Sequence, residues 1–115
     1  MSYQHVVMVG LLTLSIQCQY DFNFQVLELP GAVCLFKHCG YLPKVTSSDS
    51  LNYHGVWPSN QNGKHPFFCT QDKYNSTTIQ KQLLDQLDIY WNGLYAPSDI
   101  FRSHEYEKHG TCFYS

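Results

Sequence analysis

Charge is scarce in these 115 residues: Lys, Arg, Asp and Glu together make up 14%. A typical soluble domain carries roughly 25%, so Ser, Thr, Asn, Gln and Tyr must solvate most of the surface, a style that suits secreted proteins. Basic residues are scarcer still, and the net charge is −2 with neutral histidines. That excludes a protein that grips nucleic acid at neutral pH through a standing basic patch. Internal repeats and low-complexity tracts are absent. No apolar run reaches the roughly 20 residues needed to cross a bilayer. What is plentiful is apolar: 43% of residues are hydrophobic and 16% aromatic, a globular composition with room for one small core.

The longest apolar run lies at the start, broken only by Gly10, Thr13 and Ser15. Its length and position fit the hydrophobic region of a signal peptide over residues 1–18, cleaved near Gln17 to Gln19, although no Lys or Arg precedes it. The competing reading is a first buried strand. Removal of a leader leaves four of the five cysteines, Cys34, Cys39, Cys69 and Cys112, an even set for an oxidising compartment. Four cysteines allow three connectivities. The short Cys34 to Cys39 spacing suits a local staple, which would leave Cys69 and Cys112 to close the long loop. Asn75-Ser76-Thr77 is the one N-glycosylation acceptor in the sequence, and it implies an exposed segment of a secreted chain. Secretion to the extracellular space or the vacuole is therefore expected, with no membrane attachment once the leader is gone.

Six histidines alter the charge balance in acid. Full protonation by about pH 5 would carry the chain from −2 to roughly +4, making a polyanion welcome only at low pH. His5, His38 and His65 read as scattered residues without shared purpose.

After the leader, Phe22, Phe24 and Val26 alternate with Asp21, Asn23 and Gln25, the period of a half-buried strand over residues 20–29, ended by Pro30-Gly31. Residues 43–50 read as a loop. Leu51, Tyr53, Gly55 and Trp57 then alternate with Asn52, His54 and Val56 as a second strand, stopped by Pro58. Residues 59–75 read as a long loop pinned by Cys69. Ile79, Leu83, Leu84, Leu87 and Trp91 recur at helical spacing behind a Ser76 or Thr77 cap, a stripe expected to be core. A further helix, capped by Ser98 or Ser103, is expected to run to Gly110.

That last helix carries the chemistry. His104, Glu105, Lys108 and His109 fall within an arc of about 140° at helical pitch, so two imidazoles, a carboxylate and an ammonium share one side, anchored by neighbouring Cys112. Such a cluster is able to bind phosphate and move protons at mildly acidic pH. A merely solvated face with charge pairs fits the spacing as well. A zinc site fits poorly, because His104 and His109 are five residues apart and not the four that put two ligands on one face. His54 stands in its strand beside Gly55 and Trp57, which leave room for a flat group to approach the backbone and stack; a satisfied core histidine is the plainer alternative.

Two segments decide between these readings. His54-Gly55-Val56-Trp57-Pro58 resembles the first active-site segment of T2-type ribonucleases, and His104-Glu105-Tyr106-Glu107-Lys108-His109-Gly110-Thr111-Cys112 resembles the second, in the same order and about fifty residues apart. The Phe-rich opening strand, the Cys34 and Cys39 pair, and Cys69 placed to bond Cys112 match as well. The short Cys34 to Cys39 loop and the Ser59-Asn60 turn are similar to plant members, including the S-RNases of pollen rejection. The resemblance implies an α+β domain, an antiparallel sheet flanked by helices, over residues 19–115. It also implies a secreted endoribonuclease that cuts single-stranded RNA by transphosphorylation to 2′,3′-cyclic phosphates. In that scheme His109 takes the 2′-hydroxyl proton and His54 protonates the leaving 5′-oxygen. Glu105 and Lys108 steady the pentacovalent state, His104 holds the phosphate and Trp57 stacks on a base. No metal or cofactor is implied; pollen-side protein partners are implied only for an S-RNase.

The match departs from the family in three places. Glu28-Leu29 stand where members usually carry Gln-Trp, and Glu28 is expected to repel a phosphodiester. Ser59 replaces the aspartate that often follows the first Trp-Pro, which bears on base preference. The sequence ends six residues after His109, so the domain is expected to be partial, truncated at its C-terminus. An inactive pseudoenzyme or secreted recognition protein that keeps the motifs without catalysis is the alternative function.

Overall fold

A computed structural model describes residues 19–41 and 50–114. The expected signal peptide and most of the loop expected at residues 43–50 lie outside the described residues. Strand β1, Phe22–Glu28, leads through Leu29 into a short helix α1, Pro30–Phe36; strand β2, Asn52–Ser59, follows. A long segment without helix or strand then ends in a 3-10 turn, Ser76–Thr78, before helix α2, Lys81–Tyr90, helix α3, Ser98–Lys108, and a closing 3-10 turn, Gly110–Phe113. β1 and β2 pair antiparallel, so the α+β class expected from the sequence is the one observed.

Several boundaries differ from the sequence reading. Pro30-Gly31 ends the first strand as expected and also opens a helix the sequence reading did not include, because proline at the first helical position needs no N–H partner and has its φ already set. Pro58 does not stop the second strand, which runs through it to Ser59 with Pro58 opposite Asn23; proline is tolerated near the end of an edge strand, where no ladder donor is missed. Neither Ser76 nor Thr77 caps the long helix. Both belong to the 3-10 turn, capped by Asn75, whose Oδ1 accepts from Thr77 N at 3.0 Å, and α2 begins later, after Gln80. α3 starts at Ser98 with Pro97, not a serine, in the cap position; its other end is as expected, with His109 the C-cap and Gly110 just beyond it. Asp99 in its first turn and Lys108 in its last suit the helix dipole.

The largest difference is in the core. No residue of α2 is fully buried: of the apolar stripe expected to be core, Ile79, Leu84, Leu87 and Trp91 are half-buried and Leu83 keeps half of its surface exposed. The floor is narrow: two strands about 4.8 Å apart offer little surface to a helix about 10–12 Å across. An apolar cavity of about 400 Å³ remains between Tyr53 and Val56 of β2 and Leu83, Leu87 and Tyr90 of α2.

Tight packing is found instead around the end of α2 and along α3, where polar groups make most of the ties. Asn52 donates to Asn92 O at 2.9 Å and accepts from Asn92 N at 3.0 Å, both residues buried, which fixes the α2–α3 connection to β2. Arg102, 1% exposed, donates from Nε to Trp91 O at 2.9 Å and pairs with Asp88 at 2.8 Å. Leu94 and Cys112 are the buried hydrophobic residues of this region. Disulfides Cys34–Cys39 and Cys69–Cys112 both form, the pairing expected from the sequence. The second holds the long loop against the end of α3, assisted by Phe68 N donating to Lys108 O at 2.8 Å and Cys69 N to Thr111 Oγ1 at 3.1 Å.

Candidate active site

The register of the two strands contains an irregularity that sets up the site. Val26 pairs with Gly55 and the next β1 residue, Leu27, pairs with Tyr53, so His54 between them has no partner on β1. His54 is the extra residue of a β-bulge, a device that re-aims a side chain and leaves one backbone group outside the ladder. Its carbonyl is satisfied by the Trp91 indole N–H at 2.8 Å, as a half-buried backbone acceptor requires.

The re-aimed imidazole stands between two carboxylates. Nδ1 lies 2.7 Å from Glu28 Oε1 on β1, and Nε2 lies 3.2 Å from Glu105 Oε1 on α3. The ring edge packs against Trp57 and Phe101, with centroids at 5.4 and 5.2 Å. The hydrogen bonds to Glu105 and to Glu28 outweigh the cost of burial and push the His54 pKa up to about 9. Burial alone would raise the Glu105 carboxyl, but hydrogen bonds from His54 and from the Trp57 indole hold it below the ordinary carboxylate range. The expected repulsion by Glu28 is therefore met by a cation at its side.

His109 lies just past the last residue of α3, stacked on the Trp57 ring with centroids 5.0 Å apart and planes 23° from parallel. Burial pushes its pKa down to about 4, with Lys108, His104 and His54 adding to the fall and Glu105 opposing it. Nδ1 of His109 is buried without a hydrogen-bond partner among the described residues. Two histidines of one cleft are thus driven in opposite directions, one towards the cation and one towards the neutral base.

That cleft, about 480 Å³, is lined by all six residues singled out in the sequence: His54, Trp57, His104, Glu105, Lys108 and His109. The helical arc brought the last four to one side, and the bulge brought His54 to meet them. Trp57 does more than offer a surface for stacking, since its N–H donates to Glu105 Oε2 at 3.0 Å and one face is covered by His109. Gly55 is required by close approach: a Cβ there would collide with Glu105 Oε2 and come within 2.9 Å of Trp57 Nε1. The space noticed at Gly55 in the sequence is filled by the Glu105 carboxylate. Phe101, which packs on His54, went unnoticed; only its position one turn before Glu105 on the same helix signals it.

The family model of the ribonuclease T2 family matches residues 20–115. Ribonuclease 3 of Arabidopsis thaliana is 35% identical over 97 residues, covering 81% of this chain and 44% of that protein. Extracellular ribonuclease LE of Solanum lycopersicum is 33% identical over 97 residues, covering 81% and 42%. Among solved structures, RNase NT in complex with 5′-AMP superposes with a TM-score of 0.68 at 29% identity, covering 82% of this chain and 48% of that one. The chain belongs to the ribonuclease T2 family, and it spans about half the length of these relatives.

Proposed function

We propose that this chain carries the acid–base pair of an endoribonuclease that cleaves single-stranded RNA by transphosphorylation. The observation that carries the reading is the pair of histidines in one cleft with pKa values pushed to about 9 and about 4, since environments that drive two titratable groups apart mark an acid and a base. At neutral pH His109 is free to accept a proton and His54 has one to give.

The steps follow. His109 takes the proton of a ribose 2′-hydroxyl, and the 2′-oxygen attacks the adjacent phosphorus. The P–O5′ bond breaks as His54 passes its proton to the departing 5′-oxygen, leaving a 2′,3′-cyclic phosphate and a 5′-hydroxyl. Lys108 and His104, on the cleft wall, suit the anionic phosphoryl group as it gains charge, and Glu105, 3.2 Å from Nε2, helps to hold His54 in place. Because the nucleophile is the 2′-hydroxyl, DNA is not a substrate. Both proton transfers are served by side chains, so no metal takes part.

Rates of RNA cleavage by the oxidised protein are expected to rise through about pH 4 and fall through about pH 9, without change on addition of EDTA. Absence of cleavage by folded protein with both disulfides intact would put the inactive or recognition reading in its place, and loss of cleavage on chelation would refute the metal-free scheme.

The setting proposed for this chemistry is the secretory pathway. Two disulfides and an exposed Asn75 support it, and among the described residues no helix is long and apolar enough to cross a membrane. Protein secreted by a eukaryotic host is expected to lose mass on N-glycosidase treatment and to begin near residue 18. An unmodified Asn75 on an uncleaved chain would count against secretion.

A further inference from the structure

We propose that Glu28 is a positioning residue for His54: its carboxylate pins a proton on Nδ1, so that the proton on Nε2, facing the cleft, is the one available to transfer. The inference rests on the reading of His54 as the acid. It stands on the 2.7 Å separation of His54 Nδ1 from Glu28 Oε1 and on the bulge that points His54 at this neighbour.

A carboxylate has only acceptors to offer, so the N–H at Nδ1 must donate to it. When His54 gives up its other proton, the neutral ring is left in the Nδ1–H tautomer with its lone pair on Nε2, ready to be recharged. A buried acidic partner that orients an imidazole and stabilises its cation is the same device as the aspartate of a serine-protease triad. Glu28 is well placed for it, with 14% of its side chain exposed, and it reaches the ring from the strand opposite the bulge.

The other groups around His54 are few. α3 contributes Glu105, facing Nε2, and beyond it His104 and Lys108, which share the cleft with His109. Just past the end of α2, the Trp91 indole N–H holds the His54 carbonyl. Among the described residues Glu105 and Glu28 are the two carboxylates on the imidazole, on opposite nitrogens. Only Glu28 lies on the nitrogen that takes no part in the transfer.

The test is Glu28→Gln, which keeps shape and removes charge, read in two ways on the full oxidised chain. In the pH–rate profile the alkaline limb is expected to move acidward by about one unit or more, cutting the rate at pH 9 about fivefold while the acid limb stays in place. In a 15N-detected NMR titration, neutral His54 of the parent is expected as the Nδ1–H tautomer, with Glu28→Gln lowering its titration point and leaving that of His109 unchanged. Loss of stability with both limbs and both titrations unmoved would overturn the proposal and reduce Glu28 to a structural residue. So would a parent His54 found as the Nε2–H tautomer. Cleavage that survives His54→Ala would sink the acid role of His54 instead, and the NMR titration would still decide whether Glu28 holds the proton.

Discussion

Alanine at either His54 or His109 is expected to lower kcat on single-stranded RNA by about 10²- to 10⁴-fold, the usual contribution of a positioned general acid or base. The two losses should not multiply, because in the proposed mechanism the residues serve one displacement and removal of either already disables it. Each variant should also erase its own side of the profile. On the proposed roles the acid limb belongs to His109, which must be neutral to accept the 2′-hydroxyl proton and is neutral above about pH 4. The alkaline limb belongs to His54, which must be protonated to release the 5′-oxygen and loses its proton near pH 9. His109→Ala should therefore leave a residual rate without the rise through pH 4, and His54→Ala one without the fall through pH 9. There is a secondary effect to look for. The His54 cation helps to depress the His109 pKa, so in His54→Ala any remaining acid limb should move to higher pH. A rate within tenfold of the parent for either variant, with unchanged circular dichroism, would end the two-histidine assignment.

The sequence made the grouping of these side chains legible and left the means of their positioning hidden. His104, Glu105, Lys108 and His109 share a side because helical pitch dictates it, and the observed cleft holds them together. Strand alternation located β1 and β2 within a residue or two. It failed at His54, where strict alternation gives the side chain one neighbour set and the bulge gives it another. A bulge is a property of two strands in register and has no signature in one of them alone. For the same reason Glu28, read as a hazard to phosphate, emerged as a partner of His54 only once β1 lay beside β2. The missed α1 shows that Pro-Gly serves turns and helix starts alike, and the half-covered stripe of α2 shows that amphipathic spacing states what a helix is able to bury, while the neighbours decide how far it does.

Removal of the Cys69–Cys112 disulfide is expected to cost far more than removal of Cys34–Cys39. In the chain-entropy model the loop closed by Cys69–Cys112, with a sequence separation of 43, is worth about 4 kcal/mol. The staple at a separation of 5 is worth about 2 kcal/mol. For a domain of this size the larger loss lowers Tm by roughly 15–30 °C. The comparison is between Cys69→Ser/Cys112→Ser and Cys34→Ser/Cys39→Ser, followed by thermal unfolding. Position sharpens the contrast. Cys112 is 1% exposed, and its bridge holds the loop whose Phe68 N–H caps the carbonyl of Lys108 at 2.8 Å, one residue before His109. Opening this bridge frees the loop from the end of α3, so cleavage should fall in the double variant even at temperatures where it stays folded. The Cys34–Cys39 bridge lies at the end of α1 and lines no part of the cleft, so its loss should lower Tm while leaving kcat near that of the parent. Equal Tm losses in the two variants, or a larger one from Cys34–Cys39, would show that loop closure does not govern the stability of this chain. Undiminished cleavage without Cys69–Cys112 would show that the clamp on the end of α3 plays no part in holding His109 against Trp57.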